Sequence, residues 1–397
     1  MELSRRQFLG GAAAAAVTAA CAQPREAGRA ANAAKYKAAI IAEGRGNGYG
    51  HHHHLVFAKR PDVAVVALAD PYDDVREERA AEAGAARVYS DYREMLEKER
   101  PDLVSLAPRR TDQRVEHMLA CAEYGCHGYV EKPLCADLAE ADRIIEAMDE
   151  RGLKWVIAHN FTATPIVRHA RRLLFEEGLI GEVLEMRGRG KEDRRAGGED
   201  LIVLGTHIFD LMTYFQGRPS WCCADFTVEG RPATPDDVGE ATEPIGPVVG
   251  DRMQATYRYP GGSYGYFGSM RNEHGDGGRW GLDVYGSRGI ATLRMTLIPT
   301  IQYTDDRAWA PGIRDSSWHP LPDAPETVFA DPQIDRNAVL VDDLIAAIEE
   351  DREPERSIRQ SGRDTVAMIQ AAWQSCIQAG PVTLPLEELD HPLKRWS

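Results

Sequence analysis

From residue 35 onward the apolar positions follow two alternating rhythms. Short, mainly apolar runs of strand length stand at 38–42, 63–69, 86–89, 103–107, 127–130 and 153–158. Between them lie segments with apolar residues at helical spacing, at 73–83, 91–99, 111–124 and 137–150. Strands alternating with helices are the pattern of parallel βαβ units. The last helical segment is the most fully specified: Asp137 with Glu140 three residues on predicts an N-cap, and Leu138, Ala141, Ile145 and Met148 form one apolar stripe. Six parallel strands joined by crossover helices predict a doubly wound sheet.

After residue 158 the rhythm changes. Helical spacing at 165–177 and near 201–216 gives way to strand patterns. Residues 252–259, the turn Pro260-Gly261-Gly262 and residues 263–269 predict a hairpin, and 282–285 with 289–296 a second. Helical spacing returns at 336–350 and 362–379, and no internal repeat is visible. The fold class read from this order is α/β: an N-terminal doubly wound Rossmann domain over 35–158, and a C-terminal α+β domain built on a mainly antiparallel open sheet over 159–397.

A length of 397 residues suits two cores rather than one, and so leaves room for a cleft between them. Asp plus Glu number 62 against 47 Lys plus Arg, a net charge of −15 that repels phosphate backbones, so nucleic acid is not expected as a partner. Residues 1–34 are set apart as signal and tether. Ser4-Arg5-Arg6-Gln7-Phe8-Leu9-Gly10, followed by an alanine run, has the layout of a twin-arginine export signal, which predicts a periplasmic protein. Thr18-Ala19-Ala20-Cys21 loosely matches a lipoprotein box, so a lipid anchor at Cys21 stays open as the one route to the membrane. The other six cysteines form no C-x-x-C pair and read as small buried side chains.

Three places carry chemistry. The turn after the first strand, Glu43-Gly44-Arg45-Gly46-Asn47-Gly48-Tyr49-Gly50, leads toward a helix expected to begin near His51. Glycines there let backbone N–H groups approach a pyrophosphate, although Tyr49 stands where the usual spacing has its last glycine. Asp70, 24 residues after Gly46, ends the second strand near the spacing of a ribose-binding acid, which favours NAD. Arg45 could neutralise a 2′-phosphate, so NADP stays open. Gly44, Arg45, Gly46, Asn47, Gly48, Asp70, Pro108, Glu131 and Lys132 are therefore the candidate cofactor-binding residues. His51 to His54 suggest no metal, because consecutive helical residues diverge by about 100 degrees. The second place is Glu131-Lys132-Pro133 at the carboxyl end of the fifth strand, where a desolvated Lys132 suits a general base. The third is His207, which either shares that proton work or is a core histidine paired with Asp210 one turn on.

The glycine turn, the stretch Asp91-Tyr92-Arg93-Glu94-Met95-Leu96 before Pro101-Asp102, Glu131-Lys132-Pro133, the helix with His207 and the strand-rich second half together resemble the Gfo/Idh/MocA family, named for glucose-fructose oxidoreductase, inositol dehydrogenase and the MocA proteins. The resemblance covers nearly the whole chain after the leader. It implies that Lys132 assists proton transfer and contacts the cofactor, and that His207 is the substrate-domain histidine. The family often carries an aspartate four residues before this histidine; here the position holds Val203, and Asp200 lies two turns away from His207. The charged segment 187–195 is expected to border the cleft. The resemblance implies a nicotinamide-dependent oxidoreductase of a sugar or polyol. The export signal implies that NAD stays tightly bound, and the open antiparallel sheet of the second domain offers a face for a homo-oligomer. An NAD-dependent glycosidase acting by transient oxidation, and a sugar-binding protein without turnover, remain alternatives on the same fold.

Overall fold

The structure is a computed structural model that describes residues 34–45, 50–271, 279–313, 316–326 and 329–396. The leader, Cys21 and three candidate residues of the glycine turn, Gly46, Asn47 and Gly48, lie outside the described residues.

The apolar runs of the first half become six strands: β1 (Tyr36–Ile41), β2 (Val63–Ala69), β3 (Arg87–Tyr89), β4 (Leu103–Leu106), β5 (His127–Val130) and β6 (Trp155–Ile157). They form one parallel sheet in the order β3-β2-β1-β4-β5-β6. Its crossover helices are α1 (Asp73–Ala83), α2 (Tyr92–Glu99), α3 (Arg114–Glu123) and α4 (Leu138–Asp149). Asp137 caps α4 by accepting from the Glu140 N–H at 2.9 Å, and the expected apolar stripe of α4 is buried.

The crossover between β1 and β2 departs from expectation. Instead of a helix from His51 there is only a 3₁₀ turn at His53–Leu55, because His52 takes a left-handed backbone (φ 54°) that an α-helix cannot contain. The sheet face left bare there is covered by α8 (Pro332–Glu349), from near the end of the chain. Leu340, Val341, Leu344 and Ile345 of α8 pack on Ala38, Phe57, Tyr129 and Val156 in one buried cluster. This choice of cover carries the first turn of α8 to the mouth of the sheet.

The second half holds a mixed, mainly antiparallel sheet of ten strands. Its long members are β7 (Val183–Arg189), β8 (Trp221–Val228), β9 (Arg252–Arg258), β10 (Tyr264–Met270), β11 (Gly281–Gly286), β12 (Ile290–Arg294) and β13 (Thr300–Thr304). They lie in the order β13-β12-β11-β7-β10-β9-β8, with only β7 and β10 parallel. Helices α5 (Pro165–Arg171), α6 (Gly198–Val203), α7 (Gly205–Gln216) and α9 (Arg363–Ile377) contribute to the core under one face. On the other face Tyr264 stacks on Tyr266 and the Arg187 guanidinium lies over Tyr285.

Candidate active site

In the first sheet the chain runs outward from β1 in one direction and then, through β4, in the other, and an α/β sheet takes its ligand in the crevice at such a reversal. A cavity of about 460 Å³ opens there. One wall comes from the carboxyl ends of the parallel strands: His51 and His53 after β1, Arg109 after β4, Glu131 and Lys132 after β5, Asn160 after β6. The other comes from the second half: Lys191, Arg195, His207, Trp280 and the α8 residues Gln333, Arg336 and Asn337.

Glu131 organises the first wall. Its carboxylate meets His53 Nε2 at 2.9 Å, Arg109 Nε at 3.6 Å and Lys132 Nζ at 3.7 Å. Burial works against its charged form, but His53, Lys132 and Arg109 outweigh that penalty and hold the carboxyl well below its ordinary range. Arg109 also donates to Glu243 at 3.2 Å, and Arg195 reaches the same carboxylate at 2.7 Å. Beside this pair the Thr111 N–H donates to the Pro244 carbonyl at 3.0 Å. A strap from the second half is thereby fastened to the loop after β4.

Lys132 is positioned by a helix break. The helical spacing over 201–216 predicts one helix; the structure interrupts it at Leu204, between α6 and α7. At the break the His207 N–H bonds to the Leu204 carbonyl rather than to that of Val203, and the freed Val203 carbonyl accepts from Lys132 Nζ at 3.0 Å. Gly205 permits the break to pack, since a Cβ there would sit 2.9 Å from the Phe267 ring. The position where the resemblance expects a carboxylate thus meets the lysine through its main chain. Burial pushes the Lys132 ammonium down to about 8, with Arg109 acting in the same direction and Glu131 opposing.

His207 is buried beside the lysine, among Phe161, His159 and Trp280, with ring centroids 5.2, 5.7 and 6.0 Å away. Burial first, and the Lys132 charge second, hold its pKa well below the ordinary value, so the ring is neutral. Its Nδ1 has no hydrogen-bond partner. The pairing of His207 with Asp210 does not form: Asp210 instead accepts from Ser361 at 2.6 Å, Thr162 at 2.8 Å and Arg356 at 3.1 Å.

The remaining described cofactor candidates follow β1, β2 and β4 of the same sheet, outside the cavity lining. The Gly44 carbonyl accepts from Arg79 at 2.9 Å, and the Arg45 guanidinium lies 4.1 Å over the Tyr72 ring while pairing with Asp74. Gly50 bonds through its N–H to the Ala107 carbonyl, and a Cβ there would lie 2.6 Å from that oxygen, so the turn needs glycine to close on β4. Asp70 ends β2 as expected, but its carboxylate is fully buried, held by Arg79 and by the Tyr72 N–H at 3.0 Å. Pro108 is not in the cavity wall; its carbonyl accepts from the buried Arg114 at 2.5 Å. These residues fit a dinucleotide: a glycine-dependent turn, an acid at the end of β2, and a lysine of lowered pKa beyond β5. Of the segment 187–195, Lys191 and Arg195 line the cavity. Among the described residues no group of three or more His, Cys, Asp or Glu side chains could hold a metal ion.

Residues 36–159 match the family described as "Oxidoreductase family, NAD-binding Rossmann fold", and residues 167–292 match the "GFO/IDH/MocA C-terminal domain". The chain belongs to the Gfo/Idh/MocA family. It is an NAD-binding oxidoreductase. Among curated relatives of this family it is 26% identical to levoglucosan dehydrogenase of Pseudarthrobacter phenanthrenivorans over 276 residues, 63% of this chain and 70% of that one. It is 24% identical to myo-inositol 2-dehydrogenase of Thermotoga maritima over 254 residues, 62% and 72% of the two chains. A levoglucosan dehydrogenase solved with NADH and levoglucosan shares the fold, with a TM-score of 0.71 and 21% identity over 88% of this chain and 99% of that one.

Sequence reasoning did not find Arg109, His159, Asn160, Glu243, Trp280, Arg336 or Asn337. His159 and Asn160 were within reach, since they directly follow β6 at the ligand end of the sheet. Arg336 and Asn337 carried no such signal, because only the packing of α8 brings them to the cavity.

Proposed function

We propose that the family member described here oxidises a hydroxyl of a sugar or polyol, or reduces the matching ketone, with Lys132 as the proton-transfer group and His207 as its neighbour at the substrate. The observation that carries this reading is the Lys132 ammonium, 7% exposed at the cavity wall and brought down to about 8. A lysine so tuned loses and regains a proton near neutral pH. The Val203 carbonyl fixes Nζ at one point, and Glu131 keeps its charged form accessible. The neutral His207 ring is suited to hydrogen-bonding a substrate hydroxyl rather than to holding charge. When bound, the nicotinamide supplies the hydride acceptor or donor. The sugar and inositol substrates in the names of its relatives support the substrate class. The test is a panel of sugars and polyols assayed by nicotinamide absorbance; no turnover on any member would refute the reading.

The export signal adds a proposal about the cofactor. Outside the cytoplasm no pool of nicotinamide dinucleotide is expected, so the cofactor stays bound through the cycle and one substrate re-oxidises what another has reduced. The strap that joins Glu243 to Arg109 and Arg195 supports retention by closing the cleft beside Glu131. Protein purified from the exported fraction should release nucleotide on denaturation; an empty protein that turns over freely with added NAD would defeat the proposal. The aromatic face of the second sheet, with Tyr264 and Tyr266, is proposed as the surface of a homo-oligomer, which native mass spectrometry would test.

A further inference from the structure

Six lysine and arginine side chains among the described residues line the cavity, and five of them have a carboxylate within 4 Å. Arg109 is held by Glu131 and Glu243, Arg195 by Asp193 and Glu243. Lys191 lies 3.7 Å from Asp193, and Arg294 bonds to Asp283 at 2.8 Å. Lys132 has the Val203 carbonyl and Glu131. The sixth, Arg336 at the start of the second turn of α8, is 6% exposed and has no carboxylate within ion-pair distance among the described residues. Its Nε donates to the Pro332 carbonyl at 2.9 Å, and its guanidinium lies 4.3 Å over the Phe161 ring. Its Nη1 is buried and makes no hydrogen bond.

A buried guanidinium without a counter-charge is costly, and the structure tolerates it where a ligand completes the pair. Burial lowers its pKa to about 10, so it stays charged at neutral pH. Its position identifies which ligand. Phe161 touches both the Arg336 guanidinium, 4.3 Å over its ring, and the His207 ring, 5.2 Å away, so Arg336 lines the part of the cavity that holds His207. The expected pyrophosphate site is the turn after β1. Neutral hydroxyls would satisfy the N–H donors but not the charge, whereas a carboxylate meets both through a two-pronged contact. The adjacent Asn337 and Asn160, joined at 2.6 Å, add amide groups suited to neighbouring hydroxyls.

We infer that the substrate is a sugar acid, a uronate or aldonate, whose carboxylate pairs with Arg336 while a hydroxyl of the same molecule faces Lys132 and His207. The inference rests on the oxidoreductase reading for turnover but not for binding, and the experiment separates the two. The full-length protein with its cofactor is assayed on D-glucuronate and D-galacturonate against D-glucose and D-galactose, by nicotinamide absorbance and, in parallel, by calorimetric binding. The expected result is a kcat/KM for the acids at least about tenfold above the neutral sugars. Arg336→Gln should bring that ratio to about one, through KM, as removing one partner of a buried charged pair does. Arg336→Lys, which keeps the charge, should restore part of it and guards against a folding defect in the first variant. Equal or better use of the neutral sugars, or a ratio unmoved by Arg336→Gln, overturns the inference. So does an unmoved ratio with weakened NADH binding, which would assign the guanidinium to the dinucleotide. If no sugar turns over, calorimetric binding that favours the acids and is lost in Arg336→Gln keeps the carboxylate site and sinks the oxidoreductase reading; absent that preference, the carboxylate site falls.

Discussion

Two buried polar clusters meet at α7, touching where the His159 and His207 rings lie 5.7 Å apart, and they are built on opposite terms. Behind the helix, almost every polar atom is matched. Ser361 donates to Asp210 at 2.6 Å, so its oxygen can only accept from His159 Nδ1, also at 2.6 Å. The neutral His159 ring therefore carries its proton on Nδ1 and takes the Thr206 hydroxyl proton at Nε2, 2.8 Å away. Thr162 and Arg356 complete the carboxylate of Asp210. In front of the helix the groups are left wanting: among the described residues Lys132 Nζ donates only to the Val203 carbonyl, and His207 Nδ1 and Arg336 Nη1 have no hydrogen-bond partner. Thr206 and His207 are neighbours in sequence, yet one closes the matched cluster and the other opens the unmatched one. The difference separates scaffold from site, because a polar group left unsatisfied in the interior is destabilising until something binds it.

The comparison breaks if substitutions on the two sides have the same consequence. The largest effect is expected behind the helix. Asp210→Ala leaves Arg356, Ser361 and Thr162 without their acceptor and should lower stability by about 3–5 kcal/mol, read as a shift of the denaturation midpoint. Part of the acid sensitivity of the fold should come from this cluster. Burial lowers the pKa of His159 to about 4 from its ordinary value of 6.5, so the unfolded chain binds the extra proton first. This contribution is fully present above pH 6.5 and is lost as pH falls toward 4, about 3 kcal/mol in all, and His159→Gln should flatten that limb of a stability profile.

In front of the helix the cost should fall on rate instead. Lys132→Ala should lower kcat about a hundredfold, a barrier change of about 2.7 kcal/mol, with the denaturation midpoint unmoved. A midpoint that drops with it would place Lys132 with the scaffold. Since the free amine accepts the alcohol proton, kcat/KM for oxidation should climb as pH rises to about 8 and then level, while reduction runs the other way. The smallest effect concerns Asp70. Because Arg79 already neutralises it, preference for NAD over NADP should stay under about tenfold, or about 1.4 kcal/mol. Arg79→Ala should widen the ratio of the two dissociation constants, and an unchanged ratio would count against Asp70 as the discriminating group.

The parallel sheet was legible because its information is local. Continuous apolar runs such as 63–69 bury a strand on both faces, and a cap such as Asp137 marks a helix whatever surrounds it. Glu131-Lys132 and His207 were legible for a related reason: each stands at a position along one element that the fold class itself points to the ligand. What the sequence could not settle were relations between distant segments. The helix expected at His51 gives way to a short turn and α8, from far along the chain, covers the face it leaves, while the helical spacing over 201–216 conceals a break whose freed carbonyl matters only because Lys132 reaches it. The unpaired state of Arg336, the clasp on Glu243 and the fate of Asp210 are likewise statements about which partners arrive, and partners separated by a hundred residues or more leave no periodic trace. Periodicity and capping are properties of a chain with its own neighbours, so the residues alone determined the strands, their order of appearance and the place of Lys132 at the ligand end of the sheet. Burial and pairing exist only once the chain is packed, so the tertiary structure alone decided which charges are met and which are left for a ligand.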